Sequence, residues 1–172
     1  MDFLCYTDPD ADRLGIILPT TENEQSIYGS WKLLKANDVW TLFLWYILEI
    51  ISKKNNSIFS KLDKAFIVKS FVTSDSLLYI CKKYGIECIE SKVGFSDITS
   101  IVLEKWKNNQ TNIGMFEESC GFGLAGNVTN HYHILEKDGI MSLALFIEIV
   151  AYAKSQNTSI QNILNKIYQD PE

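Results

Sequence analysis

The alternation of short apolar runs with longer segments of helical period predicts a layered α/β fold. Residues 65–68 have the length of a buried strand, whereas residues 140–153 repeat their apolar side chains at helical spacing. Strands that alternate with helices usually form a sheet covered by helices. With 172 residues, 47% of them hydrophobic, the chain can bury one sizeable core, and nothing in its composition suggests a second.

The first half of the chain is expected to hold two strands and one helix. Residues 14–18 form a short apolar strand, and residues 65–68 read as a central one. Between them, Asn37 can cap a helix over residues 38–53, because asparagine is a preferred N-cap residue. The apolar stretch 39–51 is well short of the roughly 20 apolar residues that a membrane crossing needs, so we expect a buried helix.

The second half continues the alternation. Ser74 or Asp75 can cap a helix that runs to Tyr84, and Gly85 follows it, where a left-handed C-terminal position favours glycine. Further along we expect, in order, a strand over residues 86–89, a helix over 97–106, a strand over 112–116 and a long helix over 140–153 opened by Asp138.

Charge and cysteine content narrow the class of partner. The formal net charge of −5 argues against general binding to nucleic acid or to an anionic membrane. The four cysteines are scattered without a C-x-x-C pair, and we interpret them as reduced thiols and not as a disulfide or zinc framework. We therefore expect a cytoplasmic protein with no nucleic-acid or membrane partner.

Three aspartates at alternate positions, Asp8, Asp10 and Asp12, give the strongest chemical signal. They place three hard oxygen donors within five residues, close enough for one small divalent cation such as Mg²⁺. Pro9 stiffens the turn that carries them. A plain acidic loop is the alternative, since aspartates also collect in turns, where they hydrogen-bond the backbone.

Two other families with acidic loops fit this segment poorly. An EF-hand loop would need glycine at the position of Arg13 and glutamate at the position of Pro19, and is excluded. A haloacid-type phosphatase would carry its aspartates after an apolar strand, and only residues 3–6 precede them here.

Two motifs far downstream complete the pattern. Residues 114–122 read GMFEESCGF, and residues 136–139 read EKDG. Together with DPDADR at residues 8–13, they resemble the α-D-phosphohexomutase superfamily, whose metal loop reads DPDADR or DPDGDR, whose sugar loop reads G-F-E-E-S-x-G and whose third domain carries (E/D)KDG. Three intermediate blocks also match in order: LKAND at residues 34–38, VTSD at 72–75 and VGF at 93–95.

The resemblance covers nearly the whole chain but only part of the family's four-domain enzyme. It implies that residues 1–13 end the second domain with the metal-binding loop. Residues 14–172 would form the third domain, with a four-stranded mixed sheet and helices on both faces. The family's phosphoserine loop, T-A-S-H-N-P, and phosphate-binding loop, R-x-S-G-T-E-P, are not found in the sequence. We therefore expect a fragment that does not turn over substrate alone, and whose partners include the missing mutase domains of the same polypeptide.

The resemblance also assigns substrate contacts. It implies that Glu117 and Ser119 bind sugar hydroxyls and that Gly94 belongs to a further substrate loop. In an extended chain, side chains two residues apart point the same way, so Glu118 should point away from the sugar. An acidic strand end beside an ordinary hydroxyl is the alternative interpretation.

Three cationic residues are candidates for catalysis. The resemblance makes Lys137 the general acid/base, which requires that desolvation or a nearby cation favour its neutral form. The alternative is a solvated lysine before a helix cap. Arg13 suits a phosphate-facing role, because its planar guanidinium matches phosphoryl oxygens. Lys92 matches a lysine of bacterial mannose/glucose mutases, whereas glucose-type members carry lysine where this chain has Ser96.

Two departures lie before EKDG. Leu135 stands where the family often has arginine, and the loop over residues 123–135 is longer than the usual form. It contains His131 and His133, either of which could replace a lost contact, although exposed loop histidines without a partner are the simpler interpretation.

The implied activity is that of a phosphoglucomutase-type enzyme, which interconverts hexose 1- and 6-phosphates through a phosphoserine and a bisphosphate intermediate. Mg²⁺ held by Asp8, Asp10 and Asp12 would be the cofactor, with a hexose bisphosphate as activator and a sugar phosphate as ligand. The E-E-S sequence favours this type over the glucosamine type, which carries E-Q-S. Phosphomannomutase or phosphopentomutase specificity stays open, as does a non-catalytic sugar-phosphate-binding relative.

Overall fold

A computed structural model of the chain describes residues 2–51, 64–126 and 134–169. Its first part is an antiparallel sheet of three short strands, β1 (Leu4–Thr7), β2 (Leu14–Pro19) and β3 (Trp31–Leu33), in that order. A 3₁₀ turn (Glu22–Glu24) and a short helix, α1 (Gln25–Tyr28), connect β2 to β3. Only β2 was predicted, because β1 and β3 are too short to show a period.

The second sheet has the mixed topology that was predicted. Its strands are β4 (Ala65–Ser70), β5 (Glu87–Ser91), β6 (Thr111–Glu117) and β7 (Gly121–Gly123), in the spatial order β5-β4-β6-β7. Strand β4 pairs in parallel with β5 and β6, whereas β7 folds back antiparallel to β6. The expectation of a four-stranded mixed sheet is therefore confirmed.

The longer helices follow the predicted alternation. They are α2 (Ala36–Tyr46), which continues as a π-helical turn (Ile47–Ile51), α3 (Ser76–Tyr84), α4 (Phe95–Trp106), α5 (Gly139–Ser155) and α6 (Ile160–Gln169). The predicted helices correspond to α2 through α5, and the last two residues of the first predicted helix lie outside the described ranges. Helix α6 was not predicted, although Ile160, Ile163 and Leu164, all buried, follow a helical period.

Alternation along β4 separates two layers of core. Phe66 and Val68 point to one face, where they pack with α4 residues such as Ile98. Ile67 points to the other face, where the core is built from α2, α3 and α5. Because successive strand residues face opposite sides, one strand serves both layers, and the expectation of helices on both faces is confirmed.

Helix α2 is buried on most of its surface, as its composition predicted. Its side chains from Val39 to Leu44 are all buried. Among the described residues, no helix combines the length and the apolar character that crossing a bilayer requires.

The prediction that Asn37 caps this helix was wrong. Asn37 lies inside α2, whose N-cap residue is Lys35, and its Oδ1 accepts a hydrogen bond of 3.0 Å from the backbone N–H of Ser74. Asn37 therefore ties the start of α2 to the loop after β4.

Other predicted helix boundaries are confirmed. Gly85 ends α3 in the left-handed conformation, and Asp138 caps α5 by accepting a hydrogen bond of 2.8 Å from Met141 N–H. At the start of α3, Ser74 Oγ accepts from Ser76 N–H at 3.2 Å. The predicted loop histidines, His131 and His133, lie outside the described residues.

Candidate functional site

The predicted site residues gather where the parallel strands end. Strands β4, β5 and β6 run in the same direction, so the residues that follow each of them lie along one edge of the sheet. These segments are residues 71–75 after β4, 92–94 after β5 and 118–120 after β6. Ligands of open α/β sheets bind in the crevice at this edge.

The predicted metal loop, residues 8–13, connects β1 to β2. Two hydrogen bonds to Asp8 close it: Ala11 N–H donates to its carbonyl at 3.0 Å, and Arg13 N–H donates to its Oδ1 at 3.1 Å. Ala11 has a left-handed backbone, with φ of 59°. The loop bends tightly at Ala11, between two of the predicted ligands.

The three aspartates can present their carboxylates to a single cation. Each of Asp8, Asp10 and Asp12 offers one oxygen, and these oxygens lie within 4.8 Å of one another. Oδ1 of Asp12 is buried and accepts no hydrogen bond in the structure. This oxygen has the guanidinium of Arg13 at ion-pair distance but no hydrogen-bond donor, and a bound cation would stabilise such a group, so the residues fit Mg²⁺.

The electrostatics of the loop reflect this crowding of negative charge. Burial, and then the neighbouring carboxylates of Asp10 and Asp8, raise the pKa of Asp12 against the opposing effect of Lys137. Partial burial also acts to raise the pKa of Asp8, but hydrogen bonds, first among them that from Arg13 N–H, hold it below its ordinary value.

Arg13 lies at the rim of this loop. Its Nε is 3.7 Å from Oδ2 of Asp8 and 3.6 Å from Oδ1 of Asp12, and its side chain is 48% exposed. An exposed guanidinium anchored at its base can also contact a ligand in solvent, as the predicted phosphate-facing role requires.

The predicted sugar loop, residues 117–121, connects β6 to β7. Glu117 is buried, and its Oε2 accepts a hydrogen bond of 2.6 Å from Ser119 Oγ. The two side chains lie on the same side, as predicted, but the predicted reason, an extended chain, was wrong. The chain turns sharply after Glu117, with Cys120 in the left-handed conformation at φ of 70°, so a tight turn and not an extended strand brings them together.

Glu118 points away from this pair, as expected, and has a partner of its own. Its Oε2 accepts a hydrogen bond of 2.5 Å from Ser70 Oγ, at the end of β4. Ser70 also shares a hydrogen bond of 2.8 Å with Thr73 Oγ1. Glu118 thus links the sugar loop to the end of β4 through a hydrogen bond.

Lys137 joins the metal loop to the sugar loop. Its Nζ lies 3.5 Å from Oδ2 of Asp12 and 3.4 Å from Oε2 of Glu117. Its side chain is only 13% exposed, so it is not the solvated surface lysine of the alternative interpretation. The ring centroid of Phe95 lies 5.7 Å from the ammonium group, within cation–π distance.

Direct backbone contacts hold the two loops together. Arg13 forms an isolated antiparallel bridge with Gly121, and Leu14 N–H donates to Cys120 carbonyl at 3.3 Å. A Cβ on Gly121 would lie 2.8 Å from Cδ of Lys137, so glycine leaves room for that side chain. The metal loop, the sugar loop and Lys137 therefore form one packed unit.

Lys92 and Gly94 follow β5, two strands away from the sugar loop. Lys92 is exposed, and its ammonium group forms no ion pair with any residue that the structure describes. Gly94 is the N-cap of α4, with φ of 121°, and directly precedes the Phe95 that contacts Lys137. Gly94 thus directly precedes a residue that contacts Lys137, whereas no ion pair among the described residues joins Lys92 to the two loops.

Two supporting residues were missed by sequence reasoning. The indole N–H of Trp40 donates a hydrogen bond of 2.9 Å to the carbonyl of Glu117, inside the core. Trp40 stands in a continuously apolar helix, where nothing in the sequence marks it out. Phe95 could have been found, because it belongs to the VGF block.

A large cavity among the described residues lies elsewhere. It has a volume of about 750 Å³ and opens between α2, α3, α5 and α6. Its lining includes Trp45, Tyr79, Tyr152 and Tyr168, and none of the predicted site residues borders it. We call it the helical groove.

Comparison with known proteins identifies the family. The sequence profile described as "Phosphoglucomutase/phosphomannomutase, alpha/beta/alpha domain III" matches residues 37–170. The glucose 1,6-bisphosphate synthase of Homo sapiens is 31% identical over 163 residues, covering 95% of this chain and 24% of that protein. The phosphopentomutase of Mus musculus is 27% identical over 161 residues, covering 94% and 24%.

A solved structure of similar fold comes from Aspergillus fumigatus. It is an N-acetylphosphoglucosamine mutase in complex with GlcNAc-6P and magnesium, with a TM-score of 0.64 and 17% identity, covering 89% of this chain and 31% of that one. The chain thus spans about a quarter of the length of the curated relatives named above. The match over residues 37–170 includes the sugar loop and Lys137, and the chain belongs to the phosphoglucomutase/phosphomannomutase family as its α/β/α domain III.

Proposed function

We propose that the metal loop, the sugar loop and Lys137 form part of the active site of a phosphosugar mutase of the phosphoglucomutase type. Such an enzyme interconverts hexose 1- and 6-phosphates through a phosphoserine and a bisphosphate intermediate. One observation carries the proposal. The ammonium group of Lys137 lies within 3.5 Å of both a predicted metal ligand, Asp12, and a predicted sugar ligand, Glu117.

Asp8, Asp10 and Asp12 are the residues that would hold Mg²⁺. When bound, the cation would stabilise negative charge on the phosphoryl group. The donor set supports this assignment, because it consists of carboxylate oxygens and includes the buried Oδ1 of Asp12, which accepts no hydrogen bond. The Aspergillus fumigatus relative, which has the same fold, was crystallised with magnesium.

Glu117 and Ser119 are the proposed contacts for sugar hydroxyls. Their mutual hydrogen bond orients the serine hydroxyl and one carboxylate oxygen toward the same space. Because the single proton of Ser119 is donated to Glu117, sugar hydroxyls would donate to the free lone pairs of the carboxylate and of the serine oxygen, which gives two directed contacts. Burial of Glu117 strengthens a charge-assisted hydrogen bond at this position.

Lys137 and Arg13 are the proposed catalytic cations. Lys137 is held by two carboxylates and by the ring of Phe95, so its ammonium group is placed to act as a general acid that donates a proton to a sugar oxygen bound at Glu117. Arg13 is exposed enough to contact phosphoryl oxygens. We give Lys92 no more than a peripheral role in binding the phosphate, because it lies apart from the joined loops. The ring of Phe95, which Gly94 directly precedes in the chain, contacts the ammonium group of Lys137.

Turnover of a hexose phosphate tests the proposal. We expect the purified chain, given glucose 1-phosphate, Mg²⁺ and glucose 1,6-bisphosphate, to form no glucose 6-phosphate above background, because it contains no phosphoserine loop. The same segment joined to a family serine loop and phosphate-binding loop should convert the substrate, and Asp10→Asn should abolish conversion. Turnover by the chain alone, or an inactive complete enzyme, would contradict the proposal.

A second candidate is synthesis of a hexose bisphosphate from a hexose monophosphate and a separate phosphoryl donor. It is favoured by the 31% identity to the glucose 1,6-bisphosphate synthase of Homo sapiens. Net accumulation of the bisphosphate over many turnovers distinguishes this activity from a mutase, which regenerates the bisphosphate without accumulating it.

We also propose a cytoplasmic location, because all four cysteines are free thiols.

A further inference from the structure

Gly139, the first residue of α5, is pressed against the backbone of the metal loop. Its N–H donates a hydrogen bond of 2.9 Å to the carbonyl of Ala11. A Cβ on Gly139 would lie 2.6 Å from the carbonyl oxygen of Arg13, 2.8 Å from that of Ala11 and 3.0 Å from the carbonyl carbon of Arg13. These are backbone atoms, so no side-chain rotation can relieve the overlap.

The two crowded carbonyls lie on either side of Asp12. Ala11 and Arg13 are its immediate neighbours, and Ala11 has a left-handed backbone that leaves little freedom for adjustment. The turn is closed by hydrogen bonds to Asp8. A displacement of both neighbouring carbonyls must therefore move Asp12, whose Oδ1 is buried and accepts no hydrogen bond.

The same short segment also sets the position of Lys137. Asp138 N–H donates a hydrogen bond of 2.8 Å to the carbonyl of Phe122, which fixes the backbone between Lys137 and α5. Gly139 then contacts the metal loop, and Lys137 Nζ lies 3.5 Å from Asp12. One backbone segment thus places the lysine and the aspartate relative to each other.

We propose that Gly139 is a positioning residue for the metal site. Because it has no side chain, α5 can begin directly against the backbone on both sides of Asp12, which sets the carboxylate in place for a divalent cation. This inference rests on the proposed function only in taking the metal loop to bind Mg²⁺. It assigns a role to a residue that neither contacts the cation nor titrates.

Helix formation alone would lead to the opposite expectation. The φ of Gly139 is not in the left-handed region, so alanine can adopt its backbone conformation. Alanine is also a better helix former than glycine. If Gly139 served only to begin α5, Gly139→Ala would leave Mg²⁺ binding unchanged.

The test is a Mg²⁺ titration of the 172-residue chain followed by amide chemical shifts. We expect Gly139→Ala to weaken the Mg²⁺ affinity about 10–100-fold, the usual effect of disturbing residues that support metal ligands. Gly29→Ala is the matched control. Gly29 has φ of +71°, so alanine there is strained, but a Cβ would meet no atom within 4 Å and the residue lies at the far end of β2 from the metal loop. The Mg²⁺ affinity of Gly29→Ala should equal that of the wild type.

A measurement on the wild type keeps the test valid if Gly139→Ala does not fold. The amide of Gly139 should shift with the amides of Ala11 and Arg13 and report the same dissociation constant. Unchanged affinity in folded Gly139→Ala, or a Gly139 amide that does not respond to saturating Mg²⁺, would overturn the positioning role while leaving the metal site intact. A wild-type chain without any response would overturn the metal assignment itself, and the role of Gly139 with it.

Discussion

Lys137 and Glu117, twenty residues apart in the chain, meet with 3.4 Å between Nζ and Oε2. Only 6% of the Glu117 side chain and 13% of the Lys137 side chain are exposed, so water screens this pair weakly. Because Oδ2 of Asp12 lies 3.5 Å from the same Nζ, one positive charge faces two carboxylates. The electrostatic balance of the site therefore depends on Lys137.

Removal of this charge should strengthen cation binding. A positive charge 3.5 Å from Asp12 opposes a nearby divalent cation, so Lys137→Met should increase the Mg²⁺ affinity of the chain by about 3–10-fold. The same substitution should abolish turnover in a complete enzyme. Isothermal titration calorimetry at low salt measures the affinity change, since salt screens the effect.

Lys105→Met is the control for this comparison. Lys105 pairs with Glu87 at the opposite end of β5, away from the metal loop, and its loss should not change Mg²⁺ affinity. Weaker Mg²⁺ binding by Lys137→Met, at a melting temperature equal to that of the control, would show that the lysine does not face the cation.

The two glutamates of the sugar loop should differ in function. In a complete enzyme that contains this segment, Glu117→Ala should remove a charge-assisted hydrogen bond to the sugar and lower kcat/KM about 10–100-fold. Glu118→Gln should have little effect, because an amide oxygen can still accept the hydrogen bond of Ser70. Steady-state kinetics of the two variants, at matched melting temperatures, compares their losses in kcat/KM. A larger loss with Glu118→Gln would contradict the assignment.

Trp40 should stabilise the end of β6 through its indole N–H. Trp40→Phe leaves the buried carbonyl of Glu117 without this donor, which costs about 1–3 kcal/mol in addition to lost packing. Trp45→Phe makes the same substitution at a partly buried position, where it should destabilise the chain less. Urea unfolding of the two variants provides the comparison, and equal midpoints would argue against the hydrogen bond.

Acid should weaken the first sheet through Glu24. A hydrogen bond from the Lys32 ammonium, followed by those from Thr21, lowers the pKa of Glu24 from its ordinary value of 4.5 to about 2. Since the folded state holds the carboxylate ionised, this stabilisation is present above about pH 4.5 and is lost as the pH falls toward 2. Unfolding midpoints measured at pH 6 and at pH 3 should differ less for Glu24→Gln than for the wild type.

The sequence predicted the sheet and helices of the second half because their periods are strong. Strand β4 carries its apolar residues without interruption, and α5 begins at a recognisable Asp138 cap. Strands β1, β3 and β7 were missed, since segments of three or four residues show no period of their own. They become strands through pairing with neighbours, which is a tertiary effect.

The candidate site was predicted in its residues but not in its geometry. Asp12, Glu117 and Lys137 were named from motifs, yet nothing in the sequence indicates that one ammonium group contacts both carboxylates. The role of Gly139 depends on how closely α5 approaches the metal loop, which is set by tertiary packing and not by local sequence. Lys92 was also named from a motif, and it stays exposed and apart from the loops that the structure joins.

A titration of the chain with glucose 6-phosphate at saturating Mg²⁺, followed by amide chemical shifts, tests the central claim most directly. We predict shifts at the metal loop, at residues 117–121 and at Lys137, with no shifts along the helical groove. Millimolar affinity is sufficient for this measurement. Shifts confined to the groove residues, such as Tyr79 and Tyr152, would place the ligand in the other cavity and contradict the site described above.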